Sequence, residues 1–262
     1  MDLKFSIITC TLNSAKFLKR NIESVKNQNY QNFEHIFIDG FSNDDTLKII
    51  ESYKNKFPDK VRVFKHKAKG ISNAMNLGIK HASGDYLIHL HSDDSFYDDL
   101  VLMDVNHYLV NNSFDWIYGK ILIRNEDFSK VGLQTNKSIF FKKNTNFIPK
   151  YILKFINFIP HQSVFIKKNV FNKFGLFDEN LKSAMDPDLW LRIKNKTNWI
   201  FFDRVISNYC IRRGAQSSDK RNKKENKKNK MIVKKRYLNK IELIFSFFVD
   251  FLLKSKNKKN FR

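Results

Sequence analysis

The sequence has 262 residues, 42% of them hydrophobic and 15% aromatic, which is enough for one full-sized core or two fused half-domains. This composition excludes an intrinsically disordered protein. The formal net charge is +22, but sixteen of the 48 Lys and Arg residues lie in residues 220–262, against three acidic residues. That segment carries +13 of the charge, so the body of the chain is only moderately basic and does not show the charge distribution expected of a nucleic-acid-binding face.

The cysteines and the apolar runs indicate the compartment. Cys10 and Cys210 are too few for a disulfide framework and too far apart for a metal knuckle, which favours a reduced, cytoplasmic protein. The N-terminus lacks the basic start and long apolar run of a secretory signal peptide. The longest apolar stretch, residues 241–253, is shorter than the roughly 18 residues of a spanning helix. We therefore expect no transmembrane segment.

Strands and helices are predicted to alternate over the first 98 residues. In chain order they are a strand at 5–9, a helix at 15–27, a strand at 35–38, a helix at 46–53, a strand at 61–64, a helix at 71–81 and a strand at 86–90. This alternation predicts an α/β fold with a mostly parallel central sheet flanked by helices. In such folds the ligand lies outside the carboxyl ends of the strands.

The pattern becomes less regular beyond residue 98. The predicted elements are strands at 115–123 and 163–166 and helices at 169–174 and 188–194, with a loop at 142–157. A low-complexity Lys/Asn run begins at residue 220. We therefore divide the chain into a first half (1–98), a second half (99–219) and a C-terminal tail (220–262).

Polar side chains follow three of the predicted strands. Thr11 and Asn13 come after the first strand, Asp39 after the second, and Asp93 and Asp94 after the fourth. Each of these residue types also suits a turn or a helix cap. A carboxylate doublet directly after the apolar run YLIHL is different, because charge at the edge of a buried sheet is costly unless a cation or partner compensates it. The doublet therefore predicts a site for a cation or another compensating partner.

Six segments, in this order, resemble the family 2 glycosyltransferases with the GT-A fold, particularly their bacterial polysaccharide branch. They are FSIITCTLN, FEHIFIDGFSNDDT, KGISNAMNLGIKHASGDYLIHLHSDD, PHQSVFIKK, FGLFDENLKSAMDPDLWLR and RRGAQSS. The resemblance covers residues 4–218. It implies that 1–98 binds the nucleotide sugar and 99–219 the acceptor. It also implies an inverting transfer of a sugar from a nucleotide diphosphate donor, a UDP-sugar in the first instance, to a hydroxyl of a lipid-linked or surface glycan.

The resemblance assigns residues on the donor side. The nucleoside contacts are Thr11, Asn13, Asp39 and Asn76. Asp93, in HSDD, becomes a nucleotide-binding residue and the ligand of a Mn²⁺ or Mg²⁺ ion that bridges the two phosphates. His91 stands where the family often has Asp or Asn, which leaves open whether His91 also contacts the metal. Asn73 replaces a common Asp but can still cap and donate a hydrogen bond.

Asp186, in SAMDPDLWLR, matches the catalytic base of the family. It would take the proton from the acceptor hydroxyl while that oxygen attacks the anomeric carbon. The family usually has an acid before this Asp, whereas Met185 precedes it here and Pro187 follows it. Asp188 is therefore an alternative base, although it could equally cap the helix that follows.

Five further residues are placed near the acceptor or the diphosphate by the same resemblance. They are His161, Gln162, Arg212, Arg213 and Ser217. A lone His is often a structural residue, and RRGAQSS could equally be a solvated basic turn.

The tail combines charge with an apolar face. Residues 220–240 contain eleven basic residues and one acid. The apolar face that follows consists of Leu238, Ile241, Ile244, Phe245, Phe248 and Leu252. A basic amphipathic helix of this kind binds anionic membranes. Together with the lipid-linked acceptor that the resemblance implies, it suits a location on the inner face of the cytoplasmic membrane. The alternative is that the helix packs on the core of its own domain.

Three other functions compete with this interpretation. A nucleotidyltransferase would share the nucleotide-binding half, but CTLNSAKFL lacks the Gly-rich phosphate loop of that class. A non-catalytic nucleotide-sugar-binding relative would fit the departures at His91 and Asn73. A nucleic-acid-binding protein is the remote alternative, and we expect no nucleic-acid partner.

Overall fold

The computed structural model describes residues 2–134, 150–212 and 220–259. Its strands are β1 (Phe5–Thr11), β2 (Phe33–Asp39), β3 (Val61–Lys65), β4 (Tyr86–His89), β5 (Ser95–Phe96), β6 (Trp116–Arg124), β7 (Lys130–Gln134), β8 (Val164–Lys167) and β9 (Trp199–Cys210). Its α-helices are α1 (Ala15–Lys26), α2 (Thr46–Lys56), α3 (Ile71–His81), α4 (Val101–Val110), α5 (Lys168–Phe174), α6 (Met185–Ile193), α7 (Lys223–Tyr237) and α8 (Lys240–Lys259).

The nine strands in the described residues form one sheet in the order β3-β2-β1-β4-β8-β6-β9-β5, with β7 paired to β6. The strands β1 to β4 are mutually parallel, and β6 and β9 run parallel to each other. β8 is antiparallel to both β4 and β6, so β6 and β9 run in the direction of the first four strands. The prediction of a mostly parallel sheet flanked by helices is confirmed.

Alternate side chains of the central strands enter different layers of the core, as a pleated strand requires. Phe5 and Ile7 of β1 face the layer that contains α4, whereas Ile8 packs against α3. The contact with α3 is close, because a Cβ at Gly78 would lie 2.3 Å from Cγ2 of Ile8. Glycine at this position lets α3 approach the sheet.

Four elements, of which the short strand β5 lies at the end of the first half and the others in the second half, were not predicted by the sequence analysis. These are α4, the short strands β5 and β7, and the twelve-residue β9. Helix α6 begins at Met185, three residues earlier than predicted, after Ala184 in the left-handed region (φ 63°). Of the predicted loop 142–157, residues 142–149 lie outside the described residues. The remaining residues, 150–157, include a 3-10 turn at Ile152–Lys154.

The tail forms two helices instead of one Lys/Asn run followed by one amphipathic helix. Asn239 and Glu242 explain the break, since the Asn239 side chain accepts from the Glu242 amide (2.9 Å) and Glu242 accepts from the Asn239 amide (3.0 Å). This reciprocal arrangement is a capping box that starts α8. Leu238 was predicted to lie on the apolar face, and this was wrong, because it falls in the break and is buried.

Helix α7 packs on the body of the protein. Val233 is 3% exposed and belongs to the same apolar cluster as Trp190 of α6, and Asn229 is also buried. The division at residue 219/220 stays a prediction. Among the helices in the described ranges, none is long and apolar enough to cross a lipid bilayer.

Candidate active site

A cavity of about 490 Å³ opens at the carboxyl ends of the central strands. Its walls are the ends of β1, β2 and β9, the turn after β4, the segment 66–70 before α3, and the loop that leads into α6. Seven residues predicted to form the site line it: Thr11, His91, Asp93, His161, Gln162, Asp186 and Arg212. Residues distant in sequence thus meet where a parallel sheet places its ligand.

The Asp93 and Asp94 doublet lies on one wall of the cavity. Oδ2 of Asp93 pairs with Nε of Arg212, whose guanidinium lies 5.3 Å from the ring centroid of Phe17. Oδ1 of Asp94 accepts from the amide of Cys210 at 3.0 Å. Burial and the neighbouring charge of Asp93 raise the pKa of Asp94 well above its usual range. The site therefore holds one carboxylate paired with an arginine and, next to it, one carboxyl group whose charged form is disfavoured.

A divalent cation would fit this doublet. Oδ2 of Asp94 is buried and has no hydrogen-bond partner within the described part of the chain. Carboxylate oxygens suit Mg²⁺ or Mn²⁺, and Mg²⁺ is commonly held by one or two carboxylates together with substrate phosphates and water. No three His, Cys, Asp or Glu side chains among residues 2–134, 150–212 and 220–259 are arranged to hold a cation by themselves. Substrate oxygens would have to complete the coordination.

His91 and His161 form a pair beside the carboxylates, with 2.8 Å between their Nε2 atoms. Burial lowers the pKa of each ring to about 4, and for His91 the proximity of His161 adds to the effect. Both rings are therefore neutral near pH 7, so one Nε2 donates and the other accepts. Because this hydrogen bond engages Nε2 of His91, a metal contact through that atom would require the pair to separate.

Asp186 lies in the first turn of α6, lines the cavity and is partly buried. Nδ2 of Asn157 donates to its Oδ2 at 3.3 Å. Burial raises the pKa of Asp186 to about 6, and the hydrogen bond from Asn157 and the charge of Lys230 oppose this rise. A carboxylate with this pKa is charged at pH 7 yet basic enough to take up a proton.

Asp39 is fully buried beside the cavity and is not part of its lining. Its carboxylate accepts from Oγ of Thr11 (2.8 Å) and from the amide and hydroxyl of Ser42 (2.8 and 2.7 Å). Asn13 lies in the loop between β1 and α1, with φ 50°, and its side-chain oxygen accepts from the amide of Asn43 in the loop after β2. These contacts shape the rim, and a direct contact of Asp39 or Asn13 with a nucleoside stays a prediction.

Two predicted residues lie away from the cavity. Asn76 is buried and its amide bonds the backbone of Phe177 in both directions, at 2.9 and 3.0 Å, so it joins α3 to the chain before α6. Asp188 is 2% exposed, and its carboxylate pairs with Arg192 and Arg236 and accepts from Tyr237. These positions favour structural roles for both residues, and favour Asp186 over Asp188 as the base.

Other residues of the site lie outside the predicted set or outside the described residues. Arg213 and Ser217 fall in residues 213–219, which are not described. Sequence reasoning missed Asn157, because nothing in the aperiodic segment around it indicates a contact 29 residues away. It also missed the contribution of β9. The aromatic and β-branched run WIFFDRVISNYC is the signal that could have revealed it.

Comparisons of the sequence with known proteins find glycosyltransferases. A family model described as Glycosyl transferase family 2 matches residues 6–175. A PGL/p-HBAD biosynthesis glycosyltransferase of Mycobacterium bovis is 28% identical over 189 residues, which are 72% of this chain and 68% of the relative. An uncharacterized glycosyltransferase of Rickettsia felis is 31% identical over 216 residues, which are 82% of this chain but 34% of the relative.

Solved structures share the architecture. S. aureus TarS 1-349 in complex with UDP-GlcNAc has a TM-score of 0.65 at 22% identity, over 83% of this chain and 61% of that one. The mannosyltransferase PcManGT from Pyrobaculum calidifontis, in complex with GDP-Man and Mn²⁺, has a TM-score of 0.60 at 15% identity, over 80% of this chain and 57% of that one. The likeness confirms the predicted GT-A type fold.

Proposed function

The chain belongs to glycosyltransferase family 2, and on that premise we propose that it is an inverting enzyme with Asp186 as its base. The donor is a nucleotide diphosphate sugar, with UDP-sugars as the first candidates. The acceptor is a hydroxyl of a lipid-linked or surface glycan. The observation that carries the proposal is that Asp93 and Asp186, 93 residues apart in sequence, line one cavity at the carboxyl ends of the strands.

The reaction is a single displacement. Asp186 accepts the proton of the acceptor hydroxyl as that oxygen forms a bond to the anomeric carbon, on the face opposite the donor phosphate. The bond between the anomeric carbon and the phosphate oxygen breaks, and the nucleotide diphosphate leaves with the bonding electrons. A positioned base typically contributes about 10² to 10⁴ in rate. Because there is one displacement, the configuration at the anomeric carbon inverts.

Asp93 and Asp94 would hold the Mn²⁺ or Mg²⁺ ion that this reaction class uses. When bound, the cation offsets the negative charge that develops on the leaving diphosphate. Arg212 supports the same need, since it lies in the cavity and pairs with Asp93. With donor bound, Arg212 would be within reach of both the carboxylate and the phosphates.

The nucleoside would lie at the ends of β1 and β2, where Thr11 lines the cavity, Asn13 lies in the adjoining loop and Asp39 is buried behind them. Asp39 fixes Thr11 and Ser42 through three hydrogen bonds, so it would shape the pocket even without touching the ligand. His161 and Gln162 line the same cavity as Asp186 and would face the acceptor. The neutral His91–His161 pair suits that location, because it adds no positive charge beside the base.

We place the enzyme on an anionic membrane, the inner face of the cytoplasmic membrane in a bacterium. The exposed apolar side chains of α8 support this: Ile241, Ile244, Phe245, Phe247, Phe248, Phe251 and Leu252. The segment 220–262 carries a net charge of +13. Each basic residue near an anionic surface contributes about 1 kcal/mol to binding. Such a location would bring the site to a lipid-linked acceptor.

Titration calorimetry with a panel of nucleotide diphosphate sugars, with and without Mn²⁺, tests the function. We expect at least one donor to bind in the presence of Mn²⁺, and we expect Asp93→Asn to weaken that binding by about tenfold or more, since a charged ligand is lost. Asp59→Asn, an equivalent change at an exposed position outside the cavity, should leave binding unchanged. If no donor in the panel binds, or if Asp93→Asn binds like wild type, the proposal fails.

A further inference from the structure

The two acidic residues that the structure describes in α8 turn toward the body of the protein. Glu242 pairs with Lys154 at 2.7 Å and accepts from the hydroxyl of Tyr151 at 3.0 Å. Asp250 pairs with Lys234 of α7 at 2.7 Å. The inward side also includes Ser246, which is fully buried. Both carboxylates are thereby removed from the opposite, apolar side, which suits that side to an anionic surface.

The exposed side of α8 forms a continuous apolar stripe. Ile241, Ile244, Phe245 and Phe248 follow the i, i+3, i+4, i+7 spacing of one helical face, and they are between 51% and 79% exposed. An apolar stripe on a strongly basic segment is complementary to a bilayer with anionic headgroups. One face of the helix is thus available to a membrane while the other holds the enzyme, and Phe245 lies at the border between the two faces.

A first connection runs from α8 to the proposed base through residues 151–157. Besides the Glu242–Lys154 pair, the ring of Phe245 meets that of Phe155 edge to face, with 5.1 Å between centroids. Two residues beyond Phe155, Asn157 donates its hydrogen bond to Asp186. The segment 151–157, which α8 contacts, therefore also donates the hydrogen bond that orients the carboxylate of the base.

A second connection runs through α7 to the helix that carries the base. Arg236 pairs with Asp188 at 2.9 Å and with Asp178 at 2.7 Å, which joins α7 to the first turn of α6 and to the chain before it. Asn229 donates to Oγ of Ser183, a residue that lines the cavity. Lys234, on the same helix, holds Asp250 of α8. Movement of α8 would thus reach Asp186 from two sides.

We propose that α7 and α8 form a positioning element for Asp186, and that docking of α8 on an anionic bilayer orders the segment 151–157 and the start of α6. The membrane would then be an activator of the enzyme as well as its location. This inference rests on the proposed function, because it takes Asp186 as the base and α8 as the membrane-binding element. Lys154 and Asn157 become positioning residues on the path between them.

Hydrogen exchange measured with and without lipid vesicles tests the coupling without any substrate. The reporter amides are those of Phe155 and Ile156, which bond the carbonyl of Ile152, and that of Asp188, which bonds the carbonyl of Ala184. Vesicles of phosphatidylglycerol mixed with phosphatidylcholine should slow exchange in α8 and also at these amides. We expect a slowing of roughly fivefold, the scale on which one modest ion pair shifts a local opening equilibrium. Phosphatidylcholine alone should change little.

Lys154→Gln removes the ion pair of the first connection without altering the membrane face of α8. This variant should still bind anionic vesicles and protect α8, but the slowing at Phe155 and Ile156 should be lost. Glu242→Gln, which breaks the same pair from α8, should behave alike. Lys173→Gln removes the same charge from α5, at an exposed position, and should respond like wild type.

Two results would overturn the coupling. One is that anionic vesicles fail to bind or protect α8. The other is that α8 is protected while the reporter amides of the wild-type protein exchange unchanged. Neither result would touch the glycosyl-transfer proposal, because donor titration needs no lipid. Conversely, a failure of donor binding with intact vesicle coupling would remove the proposed function and leave only the mechanical connection.

Discussion

Opposing effects meet at the carboxyl group of Asp186. Burial disfavours its charged form, whereas the hydrogen bond from Asn157 and the charge of Lys230 favour it, and the balance leaves its pKa at about 6. A base with a lower pKa would take the acceptor proton less readily, and one with a higher pKa would be protonated at neutral pH. The local environment therefore adjusts this residue to its proposed role.

The rate of transfer should depend on the ionisation of Asp186. Since only the carboxylate accepts a proton, turnover should fall as the pH drops through about 6. At one pH unit below this midpoint, the rate should be about one tenth of its value at high pH. Asn157→Ala removes a hydrogen bond to the charged form, so it should raise the pKa of Asp186 and move this midpoint to higher pH. The pH profiles of the two proteins measure both effects. Such a base titrates over roughly pH 5 to 7, so a flat wild-type profile in that range would contradict this assignment. An unchanged midpoint in Asn157→Ala would contradict it too.

At the scale of single residues, the sequence predicted several of the side chains that line the candidate cavity, because these residues are marked by their neighbours in the chain. Thr11, Asp93 and Asp186 belong to short segments that follow strands or start helices, where residue type and position are tied together. The contacts of Asn157 and Arg212 depend on how distant loops pack. No periodicity or spacing encodes such a contact, so only the structure could place it.

Helix α3 illustrates how an element positions the cavity. It lies so close to β1 that Gly78 has no room for a side chain, and its first residues border the cavity. Asn76 then ties its middle to Phe177. The close packing holds one wall of the site against the central strand.

Gly78→Ala should destabilise the protein, because the added methyl group would meet Ile8 inside a packed core. Overpacking of this kind lowers the free energy of unfolding by about 1 to 3 kcal/mol. Replacing glycine by alanine in a helix regains about 1 kcal/mol through helix propensity, so we expect a net loss of up to about 2 kcal/mol. Gly132→Ala is the matched control, since nothing lies within 4 Å of a Cβ built there. Chemical denaturation compares the two, and equal stabilities would show that α3 can move away from the sheet.

The elements of the first half were predicted well because each strand and helix has its own apolar period. Their limits were predicted within a few residues, as β1 and α3 show. Helix α7 was not predicted, because its sequence is mostly Lys and Asn and only a few residues such as Val233 enter the core. Its stability comes from tertiary contacts, which local propensity does not describe.

Over the whole molecule, the excess charge and the exposed apolar surface coincide at the C-terminus. Helix α7 contributes Val233 to the main core, so removing residues 220–262 would damage the fold as well as the tail. Point substitutions on α8 separate the two effects. The role of α8 is therefore better tested by substituting its exposed side chains than by deleting the tail.

Membrane binding should depend on the outer face of α8. Phe248→Glu places a charge where the helix would enter the interface, and it also adds negative charge near an anionic surface. We expect the fraction that sediments with anionic vesicles to fall several-fold, roughly in line with about 1 kcal/mol or more per unfavourable change. Val131→Glu, an exposed apolar position on β7, is the control and should sediment like wild type. Unchanged sedimentation of Phe248→Glu would contradict a membrane role for α8.

The most direct test of glycosyl transfer at this cavity compares turnover with donor binding in Asp186→Asn. The substitution keeps the shape of the side chain but removes its capacity to take a proton. We predict a loss of turnover of about 10² to 10⁴, with donor affinity within a few-fold of wild type. A variant that keeps near-normal turnover would contradict the account.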